Sequence, residues 1–241
     1  MVSISVMNDL FPPFEDENLK APQDVPLFPL SKVVLLPGEP LPLHIFEERY
    51  QMMAESAISS ERLIAMAHLK PRIDKSEGGN PEIFDVCGLG RIVLDERLSD
   101  GKFNLILVGL KRIRIKRIVQ LKPYKRAEVE ILADRFSQTS GPLLSSLSAE
   151  ITGLAQELLG LRKKFLEEVP GPIFDQFPSQ NLPLGTLCDL LAAALSLPPL
   201  DKQMVMEEMD VIRRAEILRF ALKFELGSLL NNSALSRPVL H

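Results

Sequence analysis

Residues that could hold a phosphate group are present in this sequence, but not at the spacing that such binding needs. Lys102 follows a glycine and precedes Phe103 rather than a hydroxyl residue, and the phosphate-cradling pattern G-x-x-x-x-G-K-[S/T] does not occur. Gly88 and Gly90 open like a dinucleotide fingerprint, but Val93 occupies the position of its third glycine. The sequence therefore predicts no nucleotide cofactor.

Residues that ligate metals are few and far apart. His44, His68 and His241 are scattered, and no H-E-x-x-H pattern occurs. Cys87 and Cys188 each lack a second cysteine nearby, so neither a zinc knuckle nor a disulfide framework is indicated. We expect two buried free thiols and no metal. His44 is interpreted as a partly buried, hydrogen-bonded histidine beside a helix start, with a pocket-facing role as the alternative.

Nucleophilic and acid–base chemistry is also weakly indicated. There is no G-x-S-x-G elbow, and the serines lie in predicted turns, caps or helix surfaces. The carboxylate pairs at 47–48 and 207–208 are typical of solvated helix faces. A Ser-Lys or Cys-His pair assembled by the fold stays open, but the sequence predicts that this protein is not an enzyme.

One run of cations deserves a separate interpretation. Eight of them occur between 111 and 126 with no acidic residue: Lys111, Arg112, Arg114, Lys116, Arg117, Lys122, Lys125 and Arg126. A nucleic-acid face would use Arg112, Arg114 and Lys116. The alternative is the wet face of a strand whose Ile113 and Ile115 point inward. A net charge of −4, no Trp and only two Tyr favour the alternative, so nucleic acid is not the expected ligand.

The composition is that of a globular protein with a loose beginning. Hydrophobic residues make up 46% and charged residues 25% of the 241 residues. Residues 1–24 combine acidic residues and prolines with little apolar periodicity, so we expect them to be a flexible arm. The longest nearly apolar stretch, 187–197, is far shorter than the roughly 20 residues that span a membrane, and no secretory signal is evident. We therefore expect a cytoplasmic protein with no membrane contact.

Residues 25–135 show the short β-branched runs and the Pro and Gly punctuation of a strand-rich unit. Extended segments are predicted over 25–29, 32–36, 41–45, 63–69, 83–98, 102–110, 112–119 and 126–132. Asp100-Gly101 is a strong hairpin signal, because glycine tolerates positive φ. A helix is predicted over 46–58. Seven or eight strands and one helix indicate a small mixed barrel.

Residues 136–232 change to a helical period. The residues Leu143, Leu147, Ile151, Leu154, Leu158, Leu161 and Phe165 form one apolar stripe. Ser140 is the predicted cap of that helix, and Thr186 with Asp189 resembles a capping box. A second helix is predicted over 187–197, a third over 201–209, and a fourth that opens at Asp210. The last has the stripe Ile212, Ala215, Leu218, Leu222, Leu226 and Leu229. Four helices predict a bundle, followed by a tail over 233–241.

Three motifs carry a resemblance to a known family. L-F-P-L at 27–30, V-L-L-P-G at 34–38 and L-P-L-H-I-F-E-E-R-Y at 41–50 closely resemble the opening of the Lon protease N-terminal domain. Residues 88–92, 107–115, 190–195 and 201–203 look like its later strands and helices. The resemblance covers about 25–230 and implies an α+β fold: a PUA-like mixed β-barrel followed by an all-α helical bundle.

The resemblance also implies a binding function without catalytic activity. In Lon this region helps to capture unfolded or tagged substrates, whereas the ATPase and the peptidase follow it. The sequence given ends at His241, so we expect a stand-alone module that binds exposed apolar segments of proteins or peptides. Candidate contacts are Tyr50, Met52 and Met53 on the first helix, or the proline-interrupted edge at 25–43, and core packing is the alternative interpretation of each. RNA binding and regulation of a full-length protease as its adaptor are the alternative functions. An oligomeric state is also possible from the sequence.

Overall fold

The computed structural model describes residues 19–20, 22–71, 81–136, 141–166, 182–195 and 197–235. The chain divides into two compact units, Met1–Ala133 and Asp134–His241. Most of the predicted arm, and the tail beyond 235, lie outside the described residues. The described end of the arm is attached to the first unit: Leu19 packs against its core, and Asp24 forms an ion pair with Arg126.

The first unit contains six strands and one helix among its described residues. They are β1 Val25–Leu30, β2 Pro40–Ile45, α1 Glu48–Ile58, β3 Leu63–His68, β4 Val86–Arg97, β5 Phe103–Gln120 and β6 Lys125–Leu132. The second unit contains four helices in its described part: α2 Gly141–Leu166, α3 Leu184–Ala194, α4 Pro199–Glu207 and α5 Val211–Leu235. The α+β class is confirmed. No described helix is both long and apolar enough to cross a membrane.

The six strands form one mixed sheet in the order β2-β5-β4-β3-β1-β6, and β5 also pairs with β6. The pairings β1–β3–β4–β5–β6 therefore return to β1, while β2 is attached through β5. Only the β1–β3 pairing is parallel. Because β1 has a partner on each side, it is not an edge strand, and only the β2 part of the predicted edge at 25–43 is one. The prolines of β2 suit this position, since an edge strand needs fewer backbone donors.

Strand β5 corrects the sequence prediction of two separate segments over 102–110 and 112–119. It is one strand of 18 residues that pairs with β2, β4 and β6. Register shifts occur in its ladders, for example between Ile115 and Arg117. Such bulges bend a strand and increase its twist, which allows one long strand to serve several neighbours. The hairpin prediction is confirmed: Gly101 has φ +86° and its N–H donates to the Leu98 carbonyl at 3.0 Å.

The predicted strand over 32–36 is instead an irregular segment that crosses the sheet. Leu35 and Leu36 are fully buried. A Cβ added at Gly88 would overlap the Leu35 carbonyl, and one at Gly109 would overlap the Leu36 carbonyl. The backbone of this segment is hydrogen-bonded to β5, with the Gly38 N–H donating to the Gly109 carbonyl at 2.8 Å. Glycine is required at these two strand positions because another backbone passes directly over them.

The helical unit confirms most of the predicted stripes. In α2, Leu147, Ile151 and Leu158 are buried, whereas Leu143 is exposed. In α5, Ala215, Leu218, Leu222 and Leu226 are buried. Asp210 opens α5 as predicted, because its Oδ1 accepts hydrogen bonds from the backbone N–H groups of Ile212 and Arg213. The predicted cap Ser140 lies outside the described residues.

Helix α3 corrects the predicted capping box at Thr186 and Asp189. The helix begins at Leu184, directly after Pro183, so both residues lie inside it. Asp189 is buried, and its Oδ1 lies 3.6 Å from Nη1 of Arg214. The Asp189 carboxylate therefore takes part in a tertiary ion pair and does not cap the start of its own helix.

Candidate functional site

The three candidate contacts on α1 separate into core and surface. Tyr50 and Met53 are buried, and the Tyr50 ring packs against Phe28 with their centroids 4.4 Å apart. Burial raises the pKa of Tyr50 above its usual value. Met52 is 47% exposed, and Phe46, just before the helix, is more exposed still. The burial removes Tyr50 and Met53 from the candidate surface and leaves Met52 on it.

The predicted nucleic-acid face is also reduced. Arg112 is only 3% exposed, so the predicted outward direction of this side chain is wrong, whereas Arg114 and Lys116 are exposed. Arg112 lies where β5 pairs with β4 on one side and with β6 on the other. Two more cations of the run are paired, Arg117 with Glu128 at 2.7 Å and Arg126 with Asp24. The run is therefore partly buried and partly neutralised.

The described histidines and cysteines differ in burial. His44 is exposed rather than partly buried, and its Nδ1 is 2.8 Å from Oδ1 of Asn104, which confirms the expected hydrogen bond. His68 is buried and stacks on Phe84. Both cysteines are buried free thiols, as predicted, and burial raises the pKa of Cys87 to about 12. Across the described ranges, no group of three or more metal-ligating side chains is found.

A buried ion-pair network fixes the start of α5. The guanidinium of Arg214 is completely buried and binds both carboxylate oxygens of Asp134, while its Nε donates to the Glu208 carbonyl at 2.9 Å. Burial by itself lowers the pKa of Arg214, but the carboxylates of Asp189 and Asp134 together outweigh it and raise the pKa above its usual value. A Cβ at Gly185 would overlap the Asp134 carboxylate. The network therefore joins the chain at Asp134, helix α3 and helix α5 within the second unit.

The second unit has a groove between α4 and α5, which we call the α4–α5 groove. Its volume is about 500 Å³. Most of its lining is apolar, and the lining residues are Arg162, Leu197, Pro198, Asp201, Met204, Ile217, Phe220, Ala221, Phe224, Glu225, Ser228 and Leu229. Phe220 is 74% exposed, Phe224 69% and Met204 53%. Contiguous exposed apolar surface of this kind marks interaction sites in soluble proteins.

The groove exists because α5 is apolar on two faces. One face contains Leu218, Leu222 and Leu226, which are buried in the unit. Phe220 and Phe224 are four residues apart, so they lie together on another face of the helix. Sequence reasoning followed the buried stripe and missed these two phenylalanines. Their signal was available, because two large aromatic residues at helical spacing outside a complete core stripe need a separate explanation.

The charges of the groove are few. Arg162 and Glu225 form an ion pair across α2 and α5, with both side chains mostly buried. Asp201 lies in the first turn of α4 on the groove wall. The arrangement can accept apolar side chains from a partner, since fully burying one such side chain contributes roughly 1.5–3 kcal/mol.

The fold and the groove together define a class of protein: a mixed-sheet unit followed by a helical unit with an exposed apolar groove. The family follows from comparison. Residues 24–223 match the family described as the ATP-dependent protease La (LON) substrate-binding domain, and the chain belongs to that family. This confirms the resemblance seen in the sequence motifs.

The chain is similar to the Lon proteases of several bacteria. It is 28% identical to the Lon protease of Dictyoglomus thermophilum over 88% of this chain and 26% of that protein. With the Lon protease of Roseiflexus castenholzii the identity is 30% over 84% of this chain and 24% of that protein. The chain thus spans about a quarter of the length of the curated relatives that it matches.

Two solved structures show the same fold. A Lon N-terminal domain protein from Xanthomonas campestris matches with a TM-score of 0.56 and 22% identity, over 81% of this chain and 96% of that one. The N-terminal domain of Lon protease from the Mycobacterium avium complex matches with a TM-score of 0.59 and 18% identity, over 83% and 98% of the two chains. At this identity the likeness supports the fold alone.

Proposed function

We propose that this chain is a stand-alone substrate-binding module, which binds proteins or peptides through their exposed apolar segments and has no ATPase or protease activity of its own. Membership of the substrate-binding family supports the binding role. The observation that carries the proposal is the α4–α5 groove, where Phe220 and Phe224 are both largely exposed.

Unfolded or tagged proteins are the proposed partners because folded proteins bury their large apolar side chains. A segment that inserts such side chains between Met204 and Phe224 removes apolar surface from water on both partners. Association costs translational and rotational freedom, so a groove of this size supports modest affinity. Modest affinity suits a module that must release what it captures.

Three finer descriptions belong to the same proposal. The return of the strand pairings to β1 supports a PUA-like β-barrel over 25–135, followed by a helical bundle over 136–232. The cytoplasm is the proposed location. A full-length protease is a proposed second partner, in an adaptor role, because the relatives of this chain are whole Lon proteases.

Replacing the groove phenylalanines tests the binding site. A fluorescently labelled, reduced and carboxymethylated α-lactalbumin serves as a permanently unfolded probe, and binding is measured by fluorescence anisotropy. We expect saturable binding by the wild type and at least a tenfold weaker affinity for the double variant Phe220→Ser/Phe224→Ser, since two apolar contacts of about 1 kcal/mol or more are lost.

Leu121→Ser is the control, because it also removes a large exposed apolar side chain but lies in the first unit, just after β5 and outside the candidate contacts. It is expected to bind like the wild type. Absence of saturable binding by the wild type at high micromolar concentration, or equal affinities of the wild type and the double variant, would contradict the groove proposal. The purified chain is also expected to leave ATP and casein unchanged, and turnover of either would contradict the non-catalytic part.

A further inference from the structure

The charges that line the α4–α5 groove are unevenly balanced. Arg162 is the cation of the lining, and its guanidinium forms an ion pair with Glu225. Asp201 is the second carboxylate of the lining. The neighbouring Lys202 directs its ammonium group to the Ala193 carbonyl at 3.3 Å. The lining therefore has a net negative charge, and that charge is contributed at Asp201.

We propose that the α4–α5 groove selects among apolar segments by charge, and that it prefers segments with a Lys or Arg beside their apolar residues. The inference rests on the proposed function and names the substrate class of that same site. A bound segment displaces water from Asp201, and a carboxylate that loses water needs a compensating cation. A Glu or Asp at the same position would be repelled instead.

Charge complementarity also favours a basic segment over a second copy of this chain. Two grooves facing each other would bring Asp201 and its net negative lining against the same lining of the copy. The chain as a whole has a net charge of −4, which adds to that repulsion. An apolar segment with basic flanks meets both the phenylalanines and the carboxylate.

Two labelled peptides with one apolar core distinguish the outcomes. Both contain the same Leu- and Phe-rich heptapeptide, with two Lys residues flanking it in one peptide and two Glu residues in the other. By fluorescence anisotropy at low salt, the wild type is expected to bind the Lys peptide about twofold to fivefold more tightly, as an exposed to half-buried ion pair contributes. The preference should shrink in 0.5 M NaCl, because salt screens it.

Variants assign the preference to one carboxylate. Asp201→Asn is expected to bind both peptides equally, Asp201→Lys to prefer the Glu peptide, and Asp201→Glu to behave like the wild type. Glu48→Gln is the control, because Glu48 also lies in the first turn of a helix, α1, in the other unit. Circular dichroism checks that each variant is folded, and the wild-type comparison of the two peptides stands independently of the variants.

Several results would overturn the proposal. Equal binding of the two peptides by the wild type removes the charge preference but leaves the apolar binding function intact. If Asp201→Asn keeps the wild-type preference for the Lys peptide, that preference does not come from Asp201, and the proposal is wrong. Sedimentation that shows a dimer lost on Phe220→Ser would mean that a second copy fills the groove. Failure of the wild type to bind either peptide contradicts this inference and the proposed function together.

Discussion

Arg214 is a cation with no exposed side-chain surface, and its ion pairs join Asp134 and helix α3 to the start of α5. Asp134 binds its two terminal nitrogens, and the buried carboxylate of Asp189 lies 3.6 Å away. Buried ion pairs of this kind add little net stability compared with a well-packed apolar residue, but removing one partner leaves the other charge buried. The stability of the helical unit should therefore be sensitive to substitution of Arg214 alone.

Arg214→Met is expected to destabilise the helical unit by about 3–5 kcal/mol, because Asp189 loses that cation inside the unit. Urea unfolding followed by circular dichroism at 222 nm measures the change, since most of the described helix lies in this unit. Arg213→Met is the control, as the neighbouring Arg213 side chain is exposed. Equal urea midpoints for the wild type and Arg214→Met would show that the network is not required.

We expect His68 to make the stability of the first unit sensitive to pH. Burial lowers its pKa below the usual value, more than the hydrogen bond to the Leu30 carbonyl raises it. The unfolded chain, with a His pKa of about 6.5, then binds the proton more readily than the folded chain. The contribution of neutral His68 to the free energy of unfolding is therefore fully present above about pH 6.5. It decreases as the pH falls from there towards the folded pKa, by at most about 1.4 kcal/mol per pH unit.

His68→Phe is expected to remove this component of the pH dependence while keeping a ring to stack on Phe84. Urea midpoints at pH 7.5 and 5.5 are read from tyrosine fluorescence, because Tyr50 and Tyr124 both lie in the first unit. His44→Phe, at an exposed histidine, is the control and should retain the wild-type dependence. If His68→Phe loses as much stability as the wild type between the two pH values, burial of His68 is not the cause.

At the scale of the elements, the backbone at Leu36 lies so close to Gly109 of strand β5 that no side chain fits at position 109. Gly109→Ala would place a Cβ against the Leu36 carbonyl. We therefore expect the free energy of unfolding of the first unit to fall by about 1–3 kcal/mol, the range typical of overpacking, or by more. Tyrosine fluorescence during urea unfolding measures the effect of Gly109→Ala, because both tyrosines lie in the first unit, and circular dichroism at 222 nm measures the effect of Gly160→Ala in the helical unit. Gly160→Ala is the matched variant: its Cβ meets nothing within 4 Å on α2, and it should stabilise the helix by about 0.5–1 kcal/mol. Equal effects of the two substitutions would contradict the close approach.

The same elements show what local sequence could and could not predict. The Asp100-Gly101 hairpin, the Asp210 cap and the Leu218–Leu222–Leu226 stripe depend on neighbours a few residues away, and all three were predicted. The single long β5 and the inward Arg112 depend on pairing with strands distant in sequence. Asp189 was mistaken for a cap because its partner, Arg214, lies on another helix. Tertiary contacts decided each of these cases.

The candidate site divides in the same way. Tyr50 and Met53 were candidate contacts because methionines suit adaptable contacts, with core packing as the alternative. Their spacing on α1 is that of a core-facing stripe, and the structure buries both. Phe220 and Phe224 were missed because a helix was expected to have one apolar face. Helical spacing alone does not say which of two apolar faces is covered, since that depends on how α4 and α5 pack.

For the molecule as a whole, the remaining question of charge is whether the basic run at 111–126 binds nucleic acid. Of its eight cations, Arg112 is buried, and Arg117 and Arg126 are paired with carboxylates. Arg114, Lys116 and Lys122 are exposed. About three phosphate contacts to single-stranded RNA give a slope of about −2 in a plot of log affinity against log salt.

We therefore expect weak retention of single-stranded RNA in filter binding, with that shallow slope between 50 and 200 mM salt. The net charge of −4 acts in the same direction, because it repels the RNA outside the basic strand. A slope steeper than about −4, lost in Arg114→Glu/Lys116→Glu, would require more phosphate contacts than the exposed cations provide and would favour the RNA-binding interpretation. A shallow slope that the same double variant leaves unchanged would place even the weak retention outside this strand, and the apolar groove would then be the better supported of the two surfaces.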